Sequence, residues 1–245
     1  MKAIDPDLLL RAYSIGVFPM ADSRAADDVY WVEPKKRGVL PLNRFRLSRS
    51  LAKTIRSDRF TVTADKAFPE VVAECAASTS DRPDTWINPA IEIAYADLHR
   101  RGHAHSIETW LDGRLVGGLY GVRLGGAFFG ESMFSRESNA SKVALAWLVA
   151  RLKAGGFHLL DCQFITDHLQ SLGAIEVTRD DYVALLDSAL GVAGGAMGRA
   201  AGWSSPDFFA LDALSPDGGA TDPERRTVSG PISGCTIVQL LGQTS

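Results

Sequence analysis

The sequence predicts a mixed α/β sheet fold, and three observations carry that prediction. A hairpin is written near its centre: the strand-like run His105 to Leu111, the turn Asp112-Gly113, and the run Leu115 to Val122. Ala127 to Phe134 adds a third strand at once, which makes a meander. Helical patterns flank it, two before and one after, and a further strand, helix and strand follow.

The elements can be justified in chain order. Asp5-Pro6 has the form of an N-cap and first helical residue, so a short helix follows over Leu8 to Ser14 and stops at Gly16. Val29 to Val32 is a brief strand ended by Pro34. Ser48 caps a basic helix reaching about Ser57, and Phe60 to Thr63 is strand-like. These define a small N-terminal domain over 1–58. Ala67 to Ala77 has helical periodicity, and Ser78 to Asp84 is a polar loop. Asn88-Pro89 restarts a helix with Ile91, Tyr95 and Leu98 on one face, closed by Gly102. After the meander, Ser138 or Asn139 caps an amphipathic helix to about Lys153, and Phe157 to Gln163 returns as a strand. A short helix near His168 to Leu172, a strand at Ile175 to Thr178 and a helix from Asp181 to Leu190 complete a domain over 59–190. That order fits an acetyltransferase-like sheet better than a doubly wound fold, which alternates strictly. Residues 191–245 turn rich in Gly, Ala, Pro and Ser and read as a loose appendage, with Ile237 to Leu241 able to dock as an edge strand.

Composition excludes several classes. The 245 residues are 46% hydrophobic and 22% charged, ordinary for a soluble protein. The longest apolar run, Val143 to Ala150, is far short of the ~20 residues that span a bilayer. No secretion signal is read at the start of the chain. Cys75, Cys162 and Cys235 are isolated and odd in number, which predicts neither a disulfide framework nor a zinc cluster, and a cytoplasmic setting. The net charge of −3 hides a segregation. Lys35 to Arg59 carries nine basic residues against Asp58, a local +8 that leaves −11 elsewhere. Such a field suits a polyanion, and a solvated helix face with counter-charges nearby is the alternative.

Two strand ends carry polar groups where apolar ones are expected: Gly130 to Ser135 and Asp161-Cys162-Gln163. Alternation puts Asp161 and Gln163 on one face with Leu160 and Cys162 on the other, and pairs Glu131 with Met133. An unpartnered buried polar group costs roughly 2–7 kcal/mol. Accepting that cost twice marks a site.

These strings stand among others that resemble the leucyl/phenylalanyl-tRNA–protein transferases. The matching segments are GVFPM (16–20), TWI (85–87), AYADLHRRGHAHSIETW (94–110), GGLYGV (117–122), FFGESMFSR (128–136), NASK (139–142), LLDCQ (159–163) and HLQSLGA (168–174). They keep the family order and cover roughly residues 8–186. The resemblance implies an acetyltransferase-like fold that uses aminoacyl-tRNA in place of acetyl-CoA, with no cofactor and no metal. Arg136 to Ser141 contains no glycine, which disfavours a backbone cradle for a pyrophosphate.

The reaction so implied is attack of a protein's α-amine on the ester joining leucine or phenylalanine to the tRNA's terminal adenosine. The acceptors are proteins beginning with Lys or Arg, which the added residue marks for degradation. By resemblance Asp161, Gln163 and Glu131 are catalytic. Asp161 fixes the Gln163 amide so that its carbonyl meets the incoming amine, while Glu131 binds an ammonium group of donor or acceptor. Tyr13, Met20, Trp86 and Tyr95 match positions around the adenine, with Met20 where many members have tryptophan. Trp31 is a further candidate there, or core. Leu119, Phe128, Met133 and Leu148 are candidates for the aminoacyl pocket, each equally credible as core. Lys35, Lys36, Arg37, Arg44, Arg46, Arg49, Lys53 and Arg56 are read as contacts to the tRNA backbone. Cys162 is expected to face the core. His99, His103 and His105 lack a completing ligand at metal spacing. The expected protein is a monomer away from membranes. Competing readings are an acetyl-CoA-dependent acyltransferase and a non-catalytic binding module.

Overall fold

The computed structural model describes residues 3–78, 84–191, 205–214 and 232–242. The loop read over 79–83 and most of the appendage lie outside the described residues. Asp5 accepts a hydrogen bond from Asp7 N at 2.9 Å, and Pro6 opens α1 (Pro6–Ser14). β1 (Phe18–Met20) and β2 (Tyr30–Val32) pair as a separate antiparallel ribbon. β3 (Lys36–Val39) follows, and Ser48 then caps α2 (Arg49–Arg56). Next come β4 (Thr61–Ala64), α3 (Phe68–Ala76) and α4 (Pro89–Arg100), the last capped by Asn88. The meander is β5 (Ala104–Leu111), β6 (Arg114–Leu124) and β7 (Ala127–Ser135). α5 (Ala140–Ala154) crosses over to β8 (Leu159–Gln163). α6 (Asp167–Ser171), β9 (Ile175–Thr178), α7 (Arg179–Leu190) and α8 (Gly234–Gly242) complete the described elements.

Seven strands form one sheet in the order β4-β5-β6-β7-β8-β3-β9. Every neighbouring pair is antiparallel except β7 and β8, so the sheet is mixed. β3 was not legible in the sequence, yet it lies between β8 and β9 and ties the first 58 residues into the main sheet. One hydrophobic cluster gathers α2, α5 and α8 against one face. The other gathers α1, α3, α4 and α7 against the opposite face.

α5 is not amphipathic as read: twelve of its residues are buried, Arg151 among them. The described tail is the reason. Phe208 and Leu211 pack into the same cluster, and Asp212 meets Arg151 at 2.7 Å. Ile237 to Leu241 is likewise a helix and not an edge strand. Its buried Ile237, Val238 and Leu241 recur at helical spacing and pack in the cluster that holds α2 and α5.

Candidate active site

β7 and β8 pair from Ala127↔Leu159 to Phe129↔Asp161 and then part, β7 continuing along β6 while β8 pairs with β3. Each strand carries one extra residue at the parting. On β7, Gly130 faces Gly121 and Ser132 faces Tyr120, so Glu131 is the bulged residue. On β8, Asp161 faces Val39 and Gln163 faces Gly38, so Cys162 is bulged. Bulges bend a strand and re-aim side chains. The strands diverge around a cavity of about 380 Å³.

The bulge overturns one reading from alternation. Glu131 and Met133 do not share a face: Met133 packs with Leu119 and Phe128, whereas Glu131 reaches Tyr13 and Tyr95 in the opposite cluster. Both still line the cavity. Its apolar wall is Leu119, Met133, Leu145, Leu148, Leu160 and Cys162, and Met20, Trp86, Glu131, Gln163 and Phe164 also border it.

Asp161 has no exposed surface and takes its charge partner from β3. Arg37 donates from Nη2 at 2.6 Å and from Nε at 3.0 Å to each carboxylate oxygen. Its Nη1 donates to Gly16 O at 2.9 Å, and its guanidinium sits 4.7 Å and 4.6 Å from the ring centres of Phe18 and Tyr182. The Tyr182 hydroxyl donates to Asp161 at 2.8 Å. Burial works against the Arg37 charge, but Asp161 outweighs it and the net shift is upward. Burial pushes the Tyr182 phenol well up.

Asp161 does not hold the Gln163 amide, as the sequence suggested. It accepts the Gln163 backbone N–H at 2.7 Å, at a residue whose φ of +60° is left-handed. Phe164 N donates to Cys162 O at 2.7 Å across it, closing a γ-type turn. Such backbone strain, about 1–3 kcal/mol, persists only where surroundings over-determine it. Gly38 is one of those surroundings, because a Cβ there would lie 2.8 Å from the Phe164 backbone. The amide itself points across the gap and donates to Glu131 Oε2 at 2.9 Å.

Glu131 is 8% exposed and surrounded by hydroxyls. Tyr13 Oη lies 2.7 Å from Oε1 and Tyr95 Oη 2.9 Å from Oε2, with 2.6 Å between the two phenols. Burial, which outweighs these hydrogen bonds, pushes the Glu131 carboxyl up to about 7. Burial and the neighbouring Glu131 also raise both phenols.

The remaining expectations divide. Leu119, Met133 and Leu148 line the cavity, as do Met20 and Trp86. Phe128 does not: it is wholly buried in the cluster behind that wall, stacked on Phe208 at 5.7 Å. Tyr13 and Tyr95 have no exposed surface and hold Glu131, so neither has a free face to stack on a base. Trp31 is 39% exposed on β2 and does not line the cavity. Cys162 packs against the core cluster, as expected, and also borders the cavity, and burial raises its thiol. Lys35, Lys36, Arg44, Arg46, Arg49, Lys53 and Arg56 are exposed, whereas Arg37 is buried and committed to Asp161. His105 is held by Asp65 at 2.7 Å and stacks on Phe208. Tyr182, Leu145, Leu160 and Phe164 were not named as site residues, and Arg37 was named for the tRNA backbone and not as the partner of Asp161. The spacing of Tyr182, Leu186 and Ala189 marks a buried helix face, but nothing local names the target of the hydroxyl.

Two family profiles match this chain. One, described as leucyl/phenylalanyl-tRNA protein transferase, covers residues 39–187, and one for its N-terminal domain covers residues 2–35. The chain belongs to the leucyl/phenylalanyl-tRNA protein transferase family. It is an aminoacyltransferase that moves an aminoacyl group from tRNA to proteins. A leucyl/phenylalanyl-tRNA–protein transferase of Rhizorhabdus wittichii is 86% identical over the whole of both chains. That of Zymomonas mobilis is 72% identical over 76% of this chain and 70% of its own. That of Afipia carboxidovorans is 55% identical over 89% and 90%. Among solved structures, FemX superposes with a TM-score of 0.50 at 13% identity, covering 70% of this chain and 66% of that one, a likeness of fold alone. Within this transferase family member, Glu131, Asp161 and Gln163 lie in the larger match, Tyr13 and Met20 in the smaller, and Arg37 between the two. Among the described residues no helix is long and apolar enough to cross a membrane.

Proposed function

We propose that the cavity receives the aminoacylated end of leucyl- or phenylalanyl-tRNA and passes the amino acid to proteins beginning with Lys or Arg, marking them for degradation. The observation that carries this reading is the composition of the cavity: about 380 Å³ with an apolar wall and, at one side, the amide–carboxyl pair Gln163 and Glu131. Leu119, Met133, Leu148, Leu145 and Leu160 offer the donor side chain a broad pocket, in which flexible Met133 adapts to leucine or phenylalanine. Trp86 and Met20 border the cavity and suit the terminal adenine; base stacking on an aromatic face is worth ~1–3 kcal/mol. The exposed cations from Lys35 to Arg56, Arg37 excepted, suit the tRNA backbone.

The ester is already activated, so alignment and oxyanion stabilisation suffice. With its NH2 engaged by Glu131, Gln163 offers its carbonyl oxygen to the attacking amine. An amide is a poor base, so this contact orients the nucleophile while the tRNA's 2′-hydroxyl shuttles the proton. Asp161, out of contact with the cavity, acts through the Gln163 backbone and is a positioning residue. The fold is of acetyltransferase type, and the enzyme works as a cytoplasmic monomer without a cofactor. Incubation with labelled leucyl-tRNA and a peptide beginning with Lys or Arg tests the reading. Transfer without CoA supports it; a requirement for CoA, or tight binding with no product, overturns it.

A further inference from the structure

Glu131, Tyr13 and Tyr95 close a ring of three oxygen–oxygen contacts, at 2.7 Å, 2.9 Å and 2.6 Å. Contacts this short are hydrogen bonds, and each needs one proton between its oxygens. The two phenols supply two protons, and burial raises both, so neither is given up near neutrality. An ionised carboxylate supplies none. If both phenols then donate to it, the 2.6 Å contact between them sets lone pair against lone pair. Only a protonated carboxyl provides the third proton. We propose that Glu131 rests as a neutral carboxylic acid, the third link in a hydrogen-bonded ring with Tyr13 and Tyr95, and presents an uncharged support to Gln163.

The surroundings agree. Tyr13 on α1 and Tyr95 on α4 are fully buried, and Tyr120 on β6 packs edge-on against Tyr95 at 5.3 Å between ring centres. From β8 come the Gln163 amide and the negative charge of Asp161, which opposes a second anion. From β3 comes Arg37, the cation whose field reaches Glu131, and it is already engaged by Asp161. Burial moves Glu131 in the same direction.

If the cavity is the transfer site, which is the reading given above, a neutral Glu131 bears on the acceptor. An ammonium group finds no anion to hold it beside Gln163, so the incoming amine sits there in its uncharged, nucleophilic form. Glu131 then serves as a support for the amide and not as the seat of an ammonium.

Infrared titration of the full-length, tRNA-free protein tests the protonation state directly. Wild type should show the C=O stretch of a protonated carboxylic acid at pH 6 that is missing from Glu131→Gln and fades as pH rises through about 7. Identical spectra for the two proteins at pH 6 would overturn the proposal. Should Glu131→Gln not fold, Tyr95→Phe keeps the acid but opens the ring, so the band must change frequency; an unmoved band overturns it equally. A band without any transfer activity would leave the neutral ring standing and remove only the proposed function.

Discussion

Arg37 and Asp161 form an ion pair with 1% and 0% of their side chains exposed, joined at 2.6 Å across 124 residues of sequence. Removing one partner of such a pair strands a buried charge, at about 3–5 kcal/mol. Arg37→Met should therefore lower unfolding stability by that order in denaturant titration. Arg37→Lys keeps a charge but loses the fork that meets both carboxylate oxygens and Gly16 O. It should recover much of the stability and less of the turnover, with tRNA affinity nearly unchanged. Equal losses in affinity and turnover would refute a positioning role.

Gln163 separates stability from chemistry, because its backbone is left-handed while its side chain spans the cleft. Gln163→Gly and Gln163→Ala lose the same hydrogen bond to Glu131. Relief of about 1 kcal/mol of backbone strain should therefore appear as a higher unfolding midpoint for the glycine variant than for the alanine one, while both lose most turnover. Gln163→Ala should lower turnover on the order of 100-fold, the scale of a misplaced reactant. Its tRNA affinity should fall far less. Parallel losses would mean that the amide serves binding alone.

Leu148 and Leu119 set the shape of the apolar wall. Leu148→Phe fills cavity space, so the ratio of kcat/KM for phenylalanyl- over leucyl-tRNA should fall by roughly tenfold, the low end of what a few carbon atoms are worth in a pocket. An unchanged ratio would place the donor side chain elsewhere.

Arg44, Arg46 and Arg49 are exposed and fall within six residues of sequence. Reversing all three charges should flatten the dependence of tRNA affinity on salt by about 2–3 in log–log slope, if each neutralises one phosphate. A slope that stays put would move the docking face off this segment.

Glu131 gives stability a pH dependence whose sign follows from its position. Its folded value of about 7 stands above the ordinary 4.5, so the folded state binds the proton more tightly than the unfolded one. The associated stability is fully present below about pH 4.5 and is lost as pH rises to about 7. The span corresponds to about 3 kcal/mol. Urea titrations at pH 5 and pH 8 should show wild type losing stability in that direction, and Glu131→Gln should lose less. Equal pH dependence in the two proteins would assign the slope to other groups.

Local signals were legible because they act over a few residues. The Asp5, Ser48 and Asn88 caps, the Asp112-Gly113 turn and the helix-spaced faces are each complete within their own segment. The sequence also marked Glu131, Asp161 and Gln163, since buried polar groups on strands cost too much to be incidental. Those three groups are ones that the structure links by hydrogen bonds where β7 and β8 part.

The tertiary structure alone decided how they meet. Bulges at Glu131 and Cys162 depend on the partner strand, and they broke the alternation from which faces are read. β3 entered the sheet through pairing with residues more than 120 positions away, which turned Arg37 from a surface cation into the counter-ion of Asp161. Tyr13 and Tyr95 became partners of Glu131 because α1 and α4 converge on β7. Periodicity reports whether a side chain is buried. What it touches is fixed by the need to pair every buried charge and hydroxyl, and those partners lie far off along the chain.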